Sequence, residues 1–321
     1  MTISTEVCRS DTALSGLLSY LYSTGYQFVT PTPATHFRVN RRPANAKART
    51  IADVFGWSRH FDPALLPDPL FRSLRDGGVI VQDMVGWRSR VRVSTLDGDV
   101  YLHSAFPTSE ADAVFFGPDT YRFARAVQNH FDRNTRLLQR ALDIGCGGGA
   151  GGILIAKQLV CKHVVLSDIN DAALKFARLN AAAAGVTDLS FVKSDLFAKI
   201  DGQFDLIVAN PPYLNDLLKR AYRHGGGEYG SALSVAIARA AKSRLAPGGT
   251  LLLYTGAPIV RGSDRFLDAV QQEFDGSRLK WSYEEIDPDV FGEELDAPAY
   301  ADVDRIAAVL LKAEMPGGKS C

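Results

Sequence analysis

From residue 118 onward the chain repeats one rhythm: a short unbroken apolar run, a turn, then a stretch with helical spacing. The apolar runs are "RALDIG", "HVVLSDI", "LSFVKSD", "FDLIVAN" and "TLLLYTG". "GPDTYRFARAVQNHFD" precedes the first, and "GAGGILIAKQLV", "DAALKFARLNAAAAG" and "SALSVAIARAAKSRLAPGG" fall among the others. Strands that are apolar throughout must be covered on both faces, and intervening helices supply that cover, so this half is predicted as a parallel sheet between two helical layers. Its crossovers are expected to be right-handed. "RLKWSYEEI" and "RIAAVLLKAE" follow as two strands with no helix between them, so at least one is expected to run antiparallel to the rest.

The first hundred residues lack this rhythm. "TALSGLLSYLYSTG" (12–25) has helical spacing and ends on Gly25, a C-cap, while "PALLPDPLFRSLRDGG" reads as short helices. "GVIVQDMVGWRSRVRVSTLDGDVYLHSAF" alternates around Asp97-Gly98 and reads as meandering antiparallel strands. A length of 321 residues exceeds the usual single domain. The expectation is a smaller mixed α+β domain over 1–108 and, over 109–321, an α/β domain with a seven-stranded, mostly parallel sheet and helices on both faces.

Charge narrows the partners. Lys plus Arg balances Asp plus Glu at 36 each, so no net field gathers nucleic acid. Locally, residues 36–49 hold five basic side chains and no acid, and 282–304 hold nine acids and no base. Each reads first as a solvated surface, the basic one also as a dock for RNA or an acidic protein. The four cysteines, Cys8, Cys146, Cys161 and Cys321, form no CxxC pair, no zinc spacing is present, and no metal is expected. With no signal peptide and no membrane-length apolar run, a cytoplasmic protein is expected.

"LDIGCGGGAGG" (142–152) follows a strand and opens a helix, and Gly145, Gly147 and Gly149 allow a tight turn and a ligand against bare main chain. Those letters alone also fit a dinucleotide loop. Asp168 ends the next strand, where a carboxylate accepts ribose hydroxyls, and a nicotinamide enzyme shares that need. Two features separate the readings. Asp143 precedes the loop, and the third strand ends in "KSDLF", placing Asp195 to accept from an adenine amino group; the fourth ends in "NPPY". A dehydrogenase also needs an acid or base for hydride transfer, and the downstream half offers His224 alone.

A strand of an open parallel sheet ends at the ligand crevice, so Asn210 is expected there. Pro211 and Pro212 stiffen the turn and fix the Asn210 carboxamide relative to the Pro211 carbonyl. Two acceptors then hold a planar NH2 with its lone pair free, while Tyr213 covers the flat face. This suits methyl transfer to an amide- or aniline-like nitrogen.

Together, "LDIGCGGGAGG", Asp168, Asp195 and "NPPY" resemble the Rossmann-like, S-adenosylmethionine-dependent methyltransferases of the small-domain branch, which includes the N5-glutamine methyltransferases of release factors and the base-N methyltransferases of nucleic acids. The resemblance covers 118 to about 313. It implies S-adenosyl-L-methionine as cofactor, with Gly145, Cys146 and Gly147 on its methionine part and Asp143 near its amino group. It further implies Asp168 and Ile169 at the ribose, Asp195 and Leu196 at the adenine, and Asn210, Pro211, Pro212 and Tyr213 at the acceptor, with Asn210 bordering the cofactor as well. "GPDTYRFA" stands where the glutamine branch carries an "RPETE"-like segment, so Phe115, Phe116, Asp119 and Tyr121 are expected to replace those contacts. "YRHGGGEYGSALS" resembles the branch's Gly-Gly-x-x-Gly loop, with Gly226, Gly227 and Gly230 letting it fold over the site. The helical docking domain of that branch is not matched by 1–108, which is expected to recognise the substrate in its own way. The methyl acceptor is read first as a protein glutamine, next as a small molecule with an amide or amine nitrogen, and then as an rRNA or tRNA base. "DPDVFGEELDAPAY" (287–300) is expected to cover the acceptor pocket or mediate self-association through Phe291 and Tyr300.

Overall fold

In a computed structural model, which describes residues 2–317 apart from 109, 134, 135, 159 and 217 and the side chains of 2–8, the N-terminal part opens with helix α1 (Thr2–Ser23). The helix begins ten residues before the predicted start, because no proline or glycine interrupts 2–15 and the buried Leu14, Leu17, Leu18 and Leu21 anchor its later turns. Short helices α2 (Pro33–Asn40), α3 (Ile51–Phe55) and α4 (Asp68–Asp76) follow. The strands β1 (Ile80–Gln82), β2 (Trp87–Ser89), β3 (Val91–Leu96) and β4 (Asp99–Ser104) form two separate pairs, β1–β2 and β3–β4, and not one meander. The β3–β4 hairpin turns at Asp97-Gly98, both at positive φ, and is buried on both faces, so its strands carry no solvent-facing alternation.

The second part is built of α5 (Pro118–Arg133), β5 (Ala141–Ile144), α6 (Ala150–Lys157), β6 (Val164–Asp168), α7 (Asp171–Ala183), β7 (Leu189–Lys193), β8 (Phe204–Ala209), α8 (Ala232–Arg244), β9 (Leu245–Val260), β10 (Ser263–Asp264), α9 (Arg265–Phe274), β11 (Lys280–Asp287) and β12 (Val303–Glu314). Seven strands lie in the order β11-β12-β9-β8-β5-β6-β7, and the two-residue β10 pairs with β9. Of these seven only β12 runs against the others, inserted between β9 and β11, and the short β10 is also antiparallel to β9. Helix α9 was not read from the sequence; it buries Phe266, Val270 and Phe274.

Strand order reverses at β5, which pairs with β6 on one side and β8 on the other. At such a switch point the two outgoing loops diverge and leave a crevice beyond the strand ends. The glycine loop leaves β5 there, and Asn210 leaves β8.

The N-terminal part is fastened to this crevice through Asn180 of α7, which is fully buried. Its Nδ2 donates to the carbonyls of Leu102 in β4 (3.1 Å) and Gly148 in the glycine loop (2.9 Å), and its Oδ1 accepts from Leu102 N–H (2.7 Å). Asn180→Leu keeps the volume but strands three buried backbone groups, so it should cost about 2–4 kcal/mol of stability. A lowered thermal midpoint together with weakened cofactor affinity is the expected result; wild-type values for both would refute this link.

Among the described residues no helix is long and apolar enough to cross a membrane. Cys146 and Cys161 are free thiols, while Cys321 and the Cys8 side chain lie outside the described residues.

Candidate active site

One cavity spans the switch point, and it is lined by Asp143, Gly145, Cys146, Gly147, Asp168, Ile169, Asp195, Leu196, Asn210, Pro211, Pro212 and Tyr213. Four separate strand ends converge on it. These twelve residues, expected at the cofactor or the acceptor, thus border a single space.

On the β5 side, Gly145 and Gly147 have positive φ, and a Cβ on either would point into open space or, at Gly145, meet nothing closer than Pro211 Cα at 4.0 Å. Bare backbone therefore faces the cavity. Gly147 N–H donates to Asp168 Oδ2 and Asn170 N–H to Asp168 Oδ1, both at 2.9 Å, which fixes the carboxylate at the end of β6. Burial pushes its carboxyl above the ordinary range, against the pull of those amides. Asp143 is 2% exposed, and its Oδ2 accepts from Gly152 N–H at 2.7 Å. Burial pushes its carboxyl up to about 7, and the nearby Asp168 adds to the rise. Cys146 is buried, and its thiol is held well above its ordinary pKa by that burial. Asp195 is exposed at the rim, following the buried Ser194.

On the β8 side, the Asn210 carboxamide has no hydrogen-bond partner among the described residues and is not sealed from solvent. The Pro211 carbonyl likewise accepts no hydrogen bond there. Both acceptors therefore stay free at the cavity. Tyr213 is packed more deeply than expected: it is 7% exposed, with its ring against Gly256 and T-shaped to Phe291 at 5.8 Å. Its hydroxyl is buried without a hydrogen bond of good geometry among the described residues, in the field of Asp119. The turn packs this ring against the wall while leaving it on the border of the cavity.

Helix α5 presents Asp119, Thr120 and Phe123 to the cavity, and Phe115 and Phe116 precede it there. Tyr121 is a second correction. One step beyond Thr120 turns about 100° around the helix, so Tyr121 leaves the cavity, packs on Phe116 and accepts from Thr30 N–H. Asp119 is 2% exposed and accepts from the Tyr254 hydroxyl (2.6 Å) and from Arg122, which also pairs with Asp287 (2.7 Å). Burial raises its carboxyl, opposed by those donors.

The loop after "NPPY" folds back over it. Leu214 N–H donates to the Arg223 carbonyl (3.1 Å), and Gly225 N–H to that of Leu214 (2.9 Å). A Cβ on Gly225 would stand 1.8 Å from Gly230 O and 2.5 Å from Pro212 O, so only glycine fits. Gly226, Gly227 and Gly230 take positive φ as the motif requires. His224 bridges to Leu214 and does not border the cavity. The acidic segment completes the wall: Phe291 lines the cavity, Glu294 pairs with Arg223, and the Tyr300 hydroxyl accepts from Asn215 N–H at 2.7 Å.

Sequence reasoning missed Tyr222, Arg223, Gly225 and Tyr254 as parts of this site. Gly225 had a signal, the first of three consecutive glycines; Tyr254 had none, because its tie is a hydrogen bond to Asp119 on helix α5, 135 residues away.

The profile of the methyltransferase small domain matches residues 122–260. Release factor glutamine methyltransferase of Deinococcus radiodurans is 33% identical over 175 residues, which is 51% of this chain and 62% of that protein. Ribosomal RNA small subunit methyltransferase C of Actinobacillus pleuropneumoniae is 34% identical over 145 residues, 45% of this chain and 41% of that protein. The chain thus spans less than two thirds of either relative. Among solved structures, Trm5b from Pyrococcus abyssi shares the fold with a TM-score of 0.50 at 17% identity, covering 71% of this chain and 56% of that one.

Proposed function

We propose, from the match of residues 122–260 to the methyltransferase small domain, that this chain is an S-adenosylmethionine-dependent N-methyltransferase acting on a planar nitrogen, first of all a protein glutamine amide. The observation that carries the proposal is the pair of free acceptors, the Asn210 carboxamide and the Pro211 carbonyl, on the cavity that Asp168 and the glycine loop also border. The glutamine acceptor is supported by the named Deinococcus relative and by the Gly225–Gly230 loop. Residues 1–108 are proposed as the part that recognises the acceptor's carrier.

The residues fit the cofactor. Asp168 suits a ribose, Asp195 and Leu196 an adenine, and the side-chain-free faces of Gly145 and Gly147 a closely approaching methionine chain with Asp143 near its amino group. S-adenosylmethionine supplies an electrophilic methyl group when bound. The protein's part is to hold the nitrogen: Asn210 Oδ1 and Pro211 O accept its two N–H groups, leave its lone pair unengaged, and stabilise positive charge growing on nitrogen. Phe115, Leu214 and Phe291 give the same cavity apolar walls.

Asp143 makes the proposal pH-sensitive. An ammonium beside it draws its carboxyl down from about 7, so binding releases a proton and tightens as pH rises through about 7. Calorimetry in buffers of different ionisation enthalpy reads that proton; affinity that is flat in pH would remove Asp143 from the amino-group site. In the free protein the sign is opposite. Its raised carboxyl contributes stability below about 4 that is lost as pH rises through about 7.

A second reading, a flat heteroaromatic nitrogen in a small molecule or an RNA base, is favoured by one observation. Phe115 and Tyr222 both line the cavity with ring planes within 5° and centroids 6.5 Å apart. Parallel aromatic faces of this kind are platforms on which a flat base stacks. Incubating a cell extract with isotope-labelled S-adenosylmethionine separates the readings. Label released by protease supports glutamine, and label released by ribonuclease or soluble in acid supports the heteroaromatic acceptor.

A further inference from the structure

A second site lies in the N-terminal part, behind the cavity wall. Arg92 of β3 is 4% exposed. Its Nε donates to the Ser104 carbonyl at 3.1 Å, and its guanidinium stands over Phe106 at 5.8 Å. Both terminal nitrogens are without a hydrogen bond among the described residues, and no carboxylate there pairs with them. Neither is sealed from solvent. The groups that face this charge are Tyr26, Tyr121, His36 and His103, none of them an anion. The two imidazoles are fully buried, with one ring nitrogen engaged by the Trp57 carbonyl (2.9 Å) and the Ser94 hydroxyl (2.8 Å) respectively; Nδ1 of each has no partner.

Taking a guanidinium out of water without a counter-ion is costly, and its usual compensation is a carboxylate or several carbonyls. Here one carbonyl and one ring face stand in for all of that. The unengaged fork of two nitrogens matches the two oxygens of a carboxylate or phosphate. We propose that the Arg92 cluster is a binding site for a small oxyanion, distinct from the methyl-transfer cavity. The site adjoins that cavity through two contacts. Ser104 exchanges hydrogen bonds with Val114 (3.1 and 2.8 Å), and the His103 ring stacks on Phe116 at 5.2 Å, so the occupant rests against the back of a wall whose other side is Val114 and Phe116.

The test titrates the full-length protein with inorganic phosphate, and in a second arm with acetate, at ionic strength held constant with chloride. The wild-type thermal midpoint should rise by about 2–4 °C at roughly tenfold excess over the dissociation constant in at least one arm. The rise should vanish in Arg92→Met, whose fold is checked by retained S-adenosylmethionine binding. Should that variant fail to fold, the Arg92 Nε–H resonance of 15N-labelled wild-type protein, assigned with Arg92→Lys, reads the same event and should shift saturably. A midpoint insensitive to both anions with an unmoved resonance, or a rise that persists in Arg92→Met, overturns the proposal.

Discussion

Asn210→Ala should lower the methyl-transfer rate about 10²–10³-fold, equivalent to about 2–4 kcal/mol of transition-state stabilisation, and leave the dissociation constant of S-adenosylmethionine within about twofold. The carboxamide carries no hydrogen bond to the rest of the protein among the described residues, so removing it strands no internal partner. Its loss falls on the acceptor alone. A single-turnover rate and a calorimetric titration on one preparation separate the two quantities. A variant that transfers methyl groups at the wild-type rate would remove Asn210 from the chemistry; one that loses cofactor binding would make it part of the cofactor site instead.

Gly225→Ala should lower the turnover at least about 10²-fold, the cost of a displacement of roughly 1 Å in a positioning element. The new methyl would fall 1.8 Å from the Gly230 carbonyl and 2.5 Å from that of Pro212, both backbone atoms that cannot swing aside. The loop that carries Tyr222 and Arg223 must then lift from the "NPPY" turn. Because Asp168 and the glycine loop lie on the other side of the switch point, cofactor affinity should persist. Gly292→Ala is the control: nothing lies within 4 Å of a Cβ there, and it should be silent. Full activity in Gly225→Ala would show that the loop does not shape the acceptor side.

How much of this could be read from the chain alone follows the range of the forces involved. The β–α rhythm and the strand-end positions of Asp168 and Asn210 are local patterns, and each residue of "NPPY" borders the cavity. The packing of the Tyr213 ring is not a local pattern. Whether an aromatic ring after two prolines faces a ligand or the wall depends on what stands opposite, here Gly256 and Phe291, more than 40 residues away. Tyr121 fell to a nearer cause, the 100° step of a helix whose phase was set by the burial of Asp119 and Phe123.

Pairing across the molecule was the other blind spot. "RGSDRFLDAVQQEFDG" carries an Asp264 N-cap whose side chain accepts from Leu267 N–H, a readable helix start that went unused. By contrast, nothing near Asn180 in the sequence marks it as the tie between β4 and the glycine loop. A single Asn in the alanine-rich α7 reads as a surface residue until the third dimension sets Leu102 and Gly148 beside it.

A crystal structure with S-adenosylhomocysteine addresses the central claim most directly. The account predicts its ribose hydroxyls on Asp168, its adenine beside Asp195 and Leu196, and its sulfur opening toward the Asn210 carboxamide. A ligand seated with its sulfur remote from Asn210, or a carboxamide turned to bond within the protein, would contradict it.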